Sequence, residues 1–126
     1  MINLDFKSGK TIHEQIEEGI KKLIISGVLG KDEKLPSVRE LSLSLTVNPN
    51  TVQRAYRELE ASGFIRSIKG KGNFVEGADA SAREIRRQRA YELLDSAVRE
   101  LSLLGEKKSS LFERTEEIYK EKEGSL

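Results

Sequence analysis

The side chains best equipped for chemistry in this chain are amides, guanidinium groups and ammonium groups, and they gather in one stretch. Asn50, Gln53, Arg54 and Arg57 recur at helical spacing, Ser37 and Arg39 come shortly before them, and Lys69-Gly70-Lys71 follows. The amides of Asn50 and Gln53 suit adenine edges, and Arg54 can fork onto guanine or grip a phosphate. The hydroxyls of Ser37 and Thr51 suit phosphate oxygens, and Arg39 can serve either purpose. No Asp or Glu occurs from Leu41 to Arg57 or from Ala61 to Val75, although 34% of the residues are charged. Such gaps fit a surface that faces a polyanion. Arg39 falls in a first helical turn, where a positive charge opposes the helix dipole by roughly 0.3–1 kcal/mol. A phosphate would relieve that cost, and so would a carboxylate nearby.

Other chemistries find little material. There is no Cys, one His and no acid pair at a recognisable spacing, so no catalytic group, cofactor or metal is assigned. His13 reads as a polar residue of a first turn, at the surface or at a subunit contact. Gly70 and Gly72 are poor phosphate-cradling glycines, because no helix opens after them. The net charge is only +1, but Lys34–Val75 carries seven Lys/Arg against three Glu, so the rest sums to −3. No run of about 18 apolar residues exists, and the N-terminus lacks a basic region followed by an apolar run. A cytoplasmic protein is expected.

These side chains need elements to carry them. Ser37 with Glu40 makes a capping box, and Val38, Leu41 and Leu45 give the helix after it a buried face. Asn48 caps a second helix, with Pro49 at its first position. Val52, Ala55, Tyr56 and Leu59 are its apolar stripe, and Gly63 supplies its stop. Residues 64–68 and 74–75 then read as the strands of a wing, with Gly70-Lys71-Gly72 as its tip. Together this is the pattern of a helix-turn-helix with a β wing, which sets one helix in the DNA major groove. Ahead of it, Met1 to Lys10 is an irregular arm from which Leu4 and Phe6 are expected to tuck against the domain or a partner chain. Thr11 with Glu14 is expected to make another capping box, opening a helix whose Ile12, Ile16, Ile20, Leu23 and Ile24 share a face and which ends near Gly27. Gly19 inside it costs roughly 1 kcal/mol and has no local reason.

The stretch resembles the DNA-binding domain of the GntR family of bacterial transcription regulators. The resemblance rests on Leu35-Pro36-Ser37 with Arg39-Glu40-Leu41, on Asn50-Thr51-Val52, Ala55-Tyr56, Leu59-Glu60 and Gly63, and on Gly70-x-Gly72-x-Phe74-Val75. It implies DNA contacts by Ser37, Arg39, Asn50, Thr51, Gln53, Arg54, Lys69, Gly70 and Lys71. It also implies a bacterial, nucleoid-associated protein. The chain departs from the family pattern at His13, where an aromatic residue is common, and at Pro49, where a polar or basic residue often stands.

After a hinge of mostly small residues, 77–80, Ser81 with Glu84 is expected to cap a long helix to about Leu104. Ala90, Leu94, Ala97, Leu101 and Leu104 form a coiled-coil-like seam, and Leu93 and Val98 widen it. Gly105 ends it. Ser110 with Glu113 opens a last helix bearing Leu111, Phe112, Thr115, Ile118 and Tyr119, expected to fray from Glu121. A helical hairpin of this size cannot bury its own stripes. It either folds back on the winged part or pairs with a second copy through Leu94, Ala97, Leu101, Leu104, Phe112 and Ile118, and pairing would set two reading helices on one two-fold axis. The tail's length resembles the YtrA subfamily, which implies a dimeric repressor. The family also admits a small-molecule effector, but no polar constellation marks a site for one.

The expected fold is mainly α with a small β wing: a winged helix-turn-helix over 1–77 followed by a C-terminal α-helical hairpin over 78–126. The function it points to is a homodimeric regulator that reads a palindrome in double-stranded DNA through helix 49–62 and wing 64–75. A winged-helix module that binds proteins is the competing reading, and an enzyme is a distant third.

Overall fold

The computed structural model describes residues 2–124, with side chains described to Glu121. Five helices and one hairpin run in the order α1 (Ile12–Ile25), α2 (Val38–Leu45), α3 (Pro49–Ala61), β1 (Ile65–Ile68), β2 (Gly72–Val75), α4 (Ala80–Leu103) and α5 (Lys108–Gly124). The chain divides into two compact units, Met1–Ala90 and Tyr91–Leu126.

In the first unit, α1 lays its Ile16, Ile20 and Ile24 against α3, whose Val52, Ala55, Tyr56 and Leu59 are all buried. Leu41 of α2, Leu35, Ile65 and Val75 close the core. Burying such side chains contributes about 1.5–3 kcal/mol each. The expected capping box is complete: Ser37 Oγ accepts from the Glu40 backbone N–H at 3.0 Å, and Glu40 Oε1 accepts from the Ser37 N–H at 3.0 Å. Thr11 accepts from the Glu14 N–H at 3.3 Å and caps α1 by its side chain alone.

Between α2 and α3 the chain turns at Thr46, which adopts a left-handed φ of 56°. Ser42 Oγ donates to the Val47 carbonyl at 2.7 Å and holds that turn. Asn48 accepts from the Asn50 N–H at 2.8 Å, and Pro49 follows at a position where a missing N–H costs nothing. Tyr56 then donates its hydroxyl to the Pro36 carbonyl at 2.6 Å, tying α3 to the approach of α2.

The wing pairs Ile65 with Val75 and Ile68 with Gly72. Residues 32–35 run along its outer edge: Leu35 donates to Asn73 O at 2.9 Å and Val75 donates to Glu33 O at 2.9 Å. Lys34 forms an isolated antiparallel bridge with Phe74.

Several local expectations are corrected by contacts from a distance. Leu4 packs on the core together with Ile2, but Phe6 is 71% exposed. Ile2 also explains Gly19, where an added Cβ would lie 3.0 Å from Ile2 Cγ1. The cap of α4 is Asp79, not Ser81. Its carboxylate accepts from the Ala82 N–H at 2.9 Å and pairs with Lys31 at 2.9 Å, and Glu84 turns to Arg87 instead. That pairing holds the Asp79 carboxyl below its usual range and raises Lys31 above the usual lysine value. The first turns of α4 lie on the winged unit. Ile85 covers Gly63, Arg86 stacks 4.2 Å from the Phe64 centroid, and Arg89 donates to the Ala61 carbonyl at 2.9 Å and to that of Glu60.

In the second unit, α4 ends at a left-handed Gly105 (φ 82°). Helix α5 starts at Lys108, before Ser110, whose N–H donates to the Lys107 carbonyl at 3.0 Å. The backbone stays helical to Gly124, through part of the stretch expected to fray, and Ser125 and Leu126 lie outside the described residues. Leu101 and Leu111 are half-buried, but Leu94 (52%), Leu104 (72%), Phe112 (68%) and Ile118 (54%) are exposed, as is Ala97.

Candidate nucleic-acid interface

Burying Val52, Ala55, Tyr56 and Leu59 dictates what the other side of α3 shows. Residues three and four apart share a helix face, so Asn50, Gln53, Arg54 and Arg57 fall together on the side away from the core, and all four are exposed. Thr51, beside the core stripe, is half-buried. The Asn50 backbone N–H is taken by Asn48.

Arg39 stands in the first turn of α2, exposed. Among the described residues no carboxylate pairs with it. The obvious internal candidate, Glu40, is committed to the Ser37 backbone, and that bond lowers its pKa from the usual glutamate value. Among the described residues, then, no carboxylate offsets this charge against the α2 dipole. Ser37 has its oxygen occupied as the acceptor of the capping bond, but its hydroxyl proton remains to donate.

At the wing tip, Lys71 N–H closes the turn onto the Ile68 carbonyl at 2.9 Å, and Gly70 takes a left-handed φ of 76° that a side chain would strain. Lys69, Gly70 and Lys71 are exposed, and among the described residues neither lysine has an ion-pair partner. Arg66 behaves differently: it bonds Asp32, reaches Glu76 at 3.7 Å, donates to the Val75 carbonyl at 3.1 Å and stacks on Phe74. It is a strut of the wing. The wing is anchored to α3 by Glu60, whose carboxylate accepts from the Ser67 N–H at 2.8 Å.

The proposed contact residues therefore lie on three neighbouring elements: the start of α2, the outer face of α3, and the hairpin tip. Tyr56 joins the first two and Glu60 joins the last two. His13 is half-buried, with Nδ1 2.8 Å from Glu17 Oε2, and takes no part. Two features escaped the sequence reading. Arg89 caps the C-terminal carbonyls of α3, which has no basic residue in its own last turn. Lys34 lies along the wing, a position visible only once residues 32–35 pair with β2.

Residues 12–75 match the bacterial regulatory proteins of the gntR family. The chain belongs to that family of DNA-binding transcription regulators, and within it is YtrA-like. It is 44% identical over 75 residues to the HTH-type transcriptional repressor YtrA of Bacillus subtilis, an alignment covering 60% of this chain and 58% of that one. Its fold is similar to that of YtrA from Sulfolobus acidocaldarius, a GntR-family transcription factor, with a TM-score of 0.60, 30% identity, and 95% and 97% of the two chains covered. The winged part is also similar to the DNA-binding domain of AraR in complex with operator ORE1 (TM-score 0.52, 28% identity, 60% and 92% covered). No helix among the described residues is long and apolar enough to cross a membrane.

Proposed function

We propose that this protein is a homodimeric repressor that binds a palindromic operator, reading each half-site with α3 and gripping phosphates with the start of α2 and the wing tip. The observation that carries the reading is a set of exposed cations without an ion-pair partner among the described residues, Arg39, Arg54, Lys69 and Lys71, beside Asn50 and Gln53. Side chains so placed gain little by themselves and much against a phosphate backbone. Asn50 and Gln53 address adenine, Arg54 addresses guanine or phosphate, and Ser37, Thr51 and Gly70 add phosphate contacts. The repressor YtrA and the operator complex of AraR support the same assignment by similarity.

Dimerisation is assigned to the region from 78 onward, with Leu94, Ala97, Leu101, Leu104, Phe112 and Ile118 at the contact. Large apolar side chains exposed this densely on two helices are stable in water chiefly when covered. Two copies related by a two-fold axis would present recognition helices to half-sites about one helical turn apart.

The deciding experiment is selection of bound sequences from random duplex DNA, with the mass of the free protein measured alongside. The expected result is a palindromic consensus and a dimer mass. A monomer that ignores every duplex at low ionic strength would falsify the proposal and favour a winged module that binds other proteins.

A further inference from the structure

We infer that Lys34, which lies outside both the recognition helix and the wing, is a phosphate-gripping residue of the DNA interface, held in place by Gly72. Residues 32–35 lie along β2, with Lys34 bridged to Phe74. From there its side chain crosses the face of Gly72. A Cβ built at Gly72 would come within 3.0 Å of Lys34 Cε and 3.8 Å of Nζ. Gly72 thus does two things: it permits a φ of 121° where the hairpin closes, and it leaves the slot along which the lysine stem runs.

Holding a lysine along one path costs side-chain entropy, so an exposed ammonium placed this way calls for a partner. Among the described residues Lys34 has none. The Glu40 carboxylate feels the Lys34 charge only through space, since it is bonded to Ser37. Arg66, on the same wing, shows what a structural cation looks like, with Asp32, Glu76 and the Val75 carbonyl around it. Lys34 resembles Lys69 and Lys71 instead: exposed and unpaired. Lys34 lies along the edge of the wing, and Lys69 and Lys71 lie at its tip. The chemistry they fit is the phosphodiester backbone of duplex DNA, with no preference for sequence.

This inference rests on the DNA-binding reading above and is tested so that the two fail separately. The full chain and its Lys34→Met and Lys34→Arg variants are titrated with the selected duplex and with a random-sequence duplex, from 50 to 400 mM salt. Methionine keeps the apolar stem over Gly72 and removes the charge, so unfolding midpoints are expected to match. For Lys34→Met, the slope of log affinity against log salt should fall by about 0.9 per bound chain on both duplexes. Carried over one decade of salt, that is roughly an eight-fold loss at 0.1 M relative to 1 M. Lys34→Arg should restore the slope. If Lys34→Met keeps the full slope while the wild type binds, Lys34 is only a packing residue and the inference is wrong. If the wild type itself shows no affinity for duplex DNA, the functional reading falls, and this one with it.

Discussion

The two units of this chain use similar residues and end in opposite conditions. Up to Ala90, helices bearing Ile and Leu at helical spacing bury them: Ile16, Ile24, Val52 and Leu59 are wholly inside. From Tyr91 onward the spacing is equally regular, yet no described side chain is buried, and Leu93, Leu94, Phe112 and Ile118 are more than half exposed. The difference is not hydrophobicity but company. Helix α1 has α3 to lie against, and the wing closes the end of the same core. Two helices joined by a short turn have too little surface to enclose each other's apolar side chains. A winged unit with its own core, and a tail whose apolar side chains stay exposed, fit the proposal that the tail is covered by a second copy.

This contrast can be broken in several places. The largest effect is expected from Leu94→Asp combined with Leu101→Asp. Charges in the middle of an apolar contact should weaken self-association by about 100-fold or more, with the winged unit still folded. Sedimentation across a concentration series checks it, and an unchanged dimer would show that the tail stripe is not the contact. Next, Leu59→Ala should destabilise the winged unit by about 3 kcal/mol, through lost burial and the cavity left behind. Leu94→Ala should leave that same urea transition within about 0.5 kcal/mol. Arg39→Ala should weaken binding to the selected operator by about 10- to 100-fold, the scale of one good guanidinium contact. Its circular dichroism and unfolding midpoint should not move, and an unaltered gel-shift titration would remove Arg39 from the interface.

Smaller effects probe how the unit holds its reading elements. Tyr56→Phe deletes the hydroxyl that meets the Pro36 carbonyl at 2.6 Å and should cost about 1 kcal/mol. The mildest is a pH effect. Bonding to Ser37 lowers the pKa of Glu40 in the folded protein from its ordinary value of 4.5. Its contribution is therefore full above about pH 4.5 and disappears as the pH falls through the lower folded value. Glu40→Gln, which keeps the reciprocal bond without the charge, should flatten that part of the acid-side loss of stability. Urea midpoints for both proteins between pH 7 and pH 3 make the comparison.

Much of the winged unit was legible because its signals are local. A Ser-x-x-Glu pair, an Asn before a proline, a stripe at positions 52, 55, 56 and 59 and a glycine at the helix end each depend on neighbours within one or two turns. What escaped was decided by residues far along the chain. Ser81 and Glu84 had the spacing of a cap, but Lys31 drew Asp79 into that role. Within the arm, Ile2 and Leu4 pack on the core while Phe6 stays exposed, a division that composition does not reveal.

Sequence alone determined that this chain would carry a capped helix pair, a glycine-tipped hairpin and an acid-poor face, since periodicity and capping are settled within a few residues. It also sufficed to identify the family. Only the tertiary structure separated the cations spent inside from those left free. Arg66 closes on Asp32 and Arg89 on the end of α3, while Arg39, Lys34, Lys69 and Lys71 find no acid among the described residues. That distinction depends on which carboxylates and carbonyls the fold brings within bonding distance, and spacing along the chain carries no record of it.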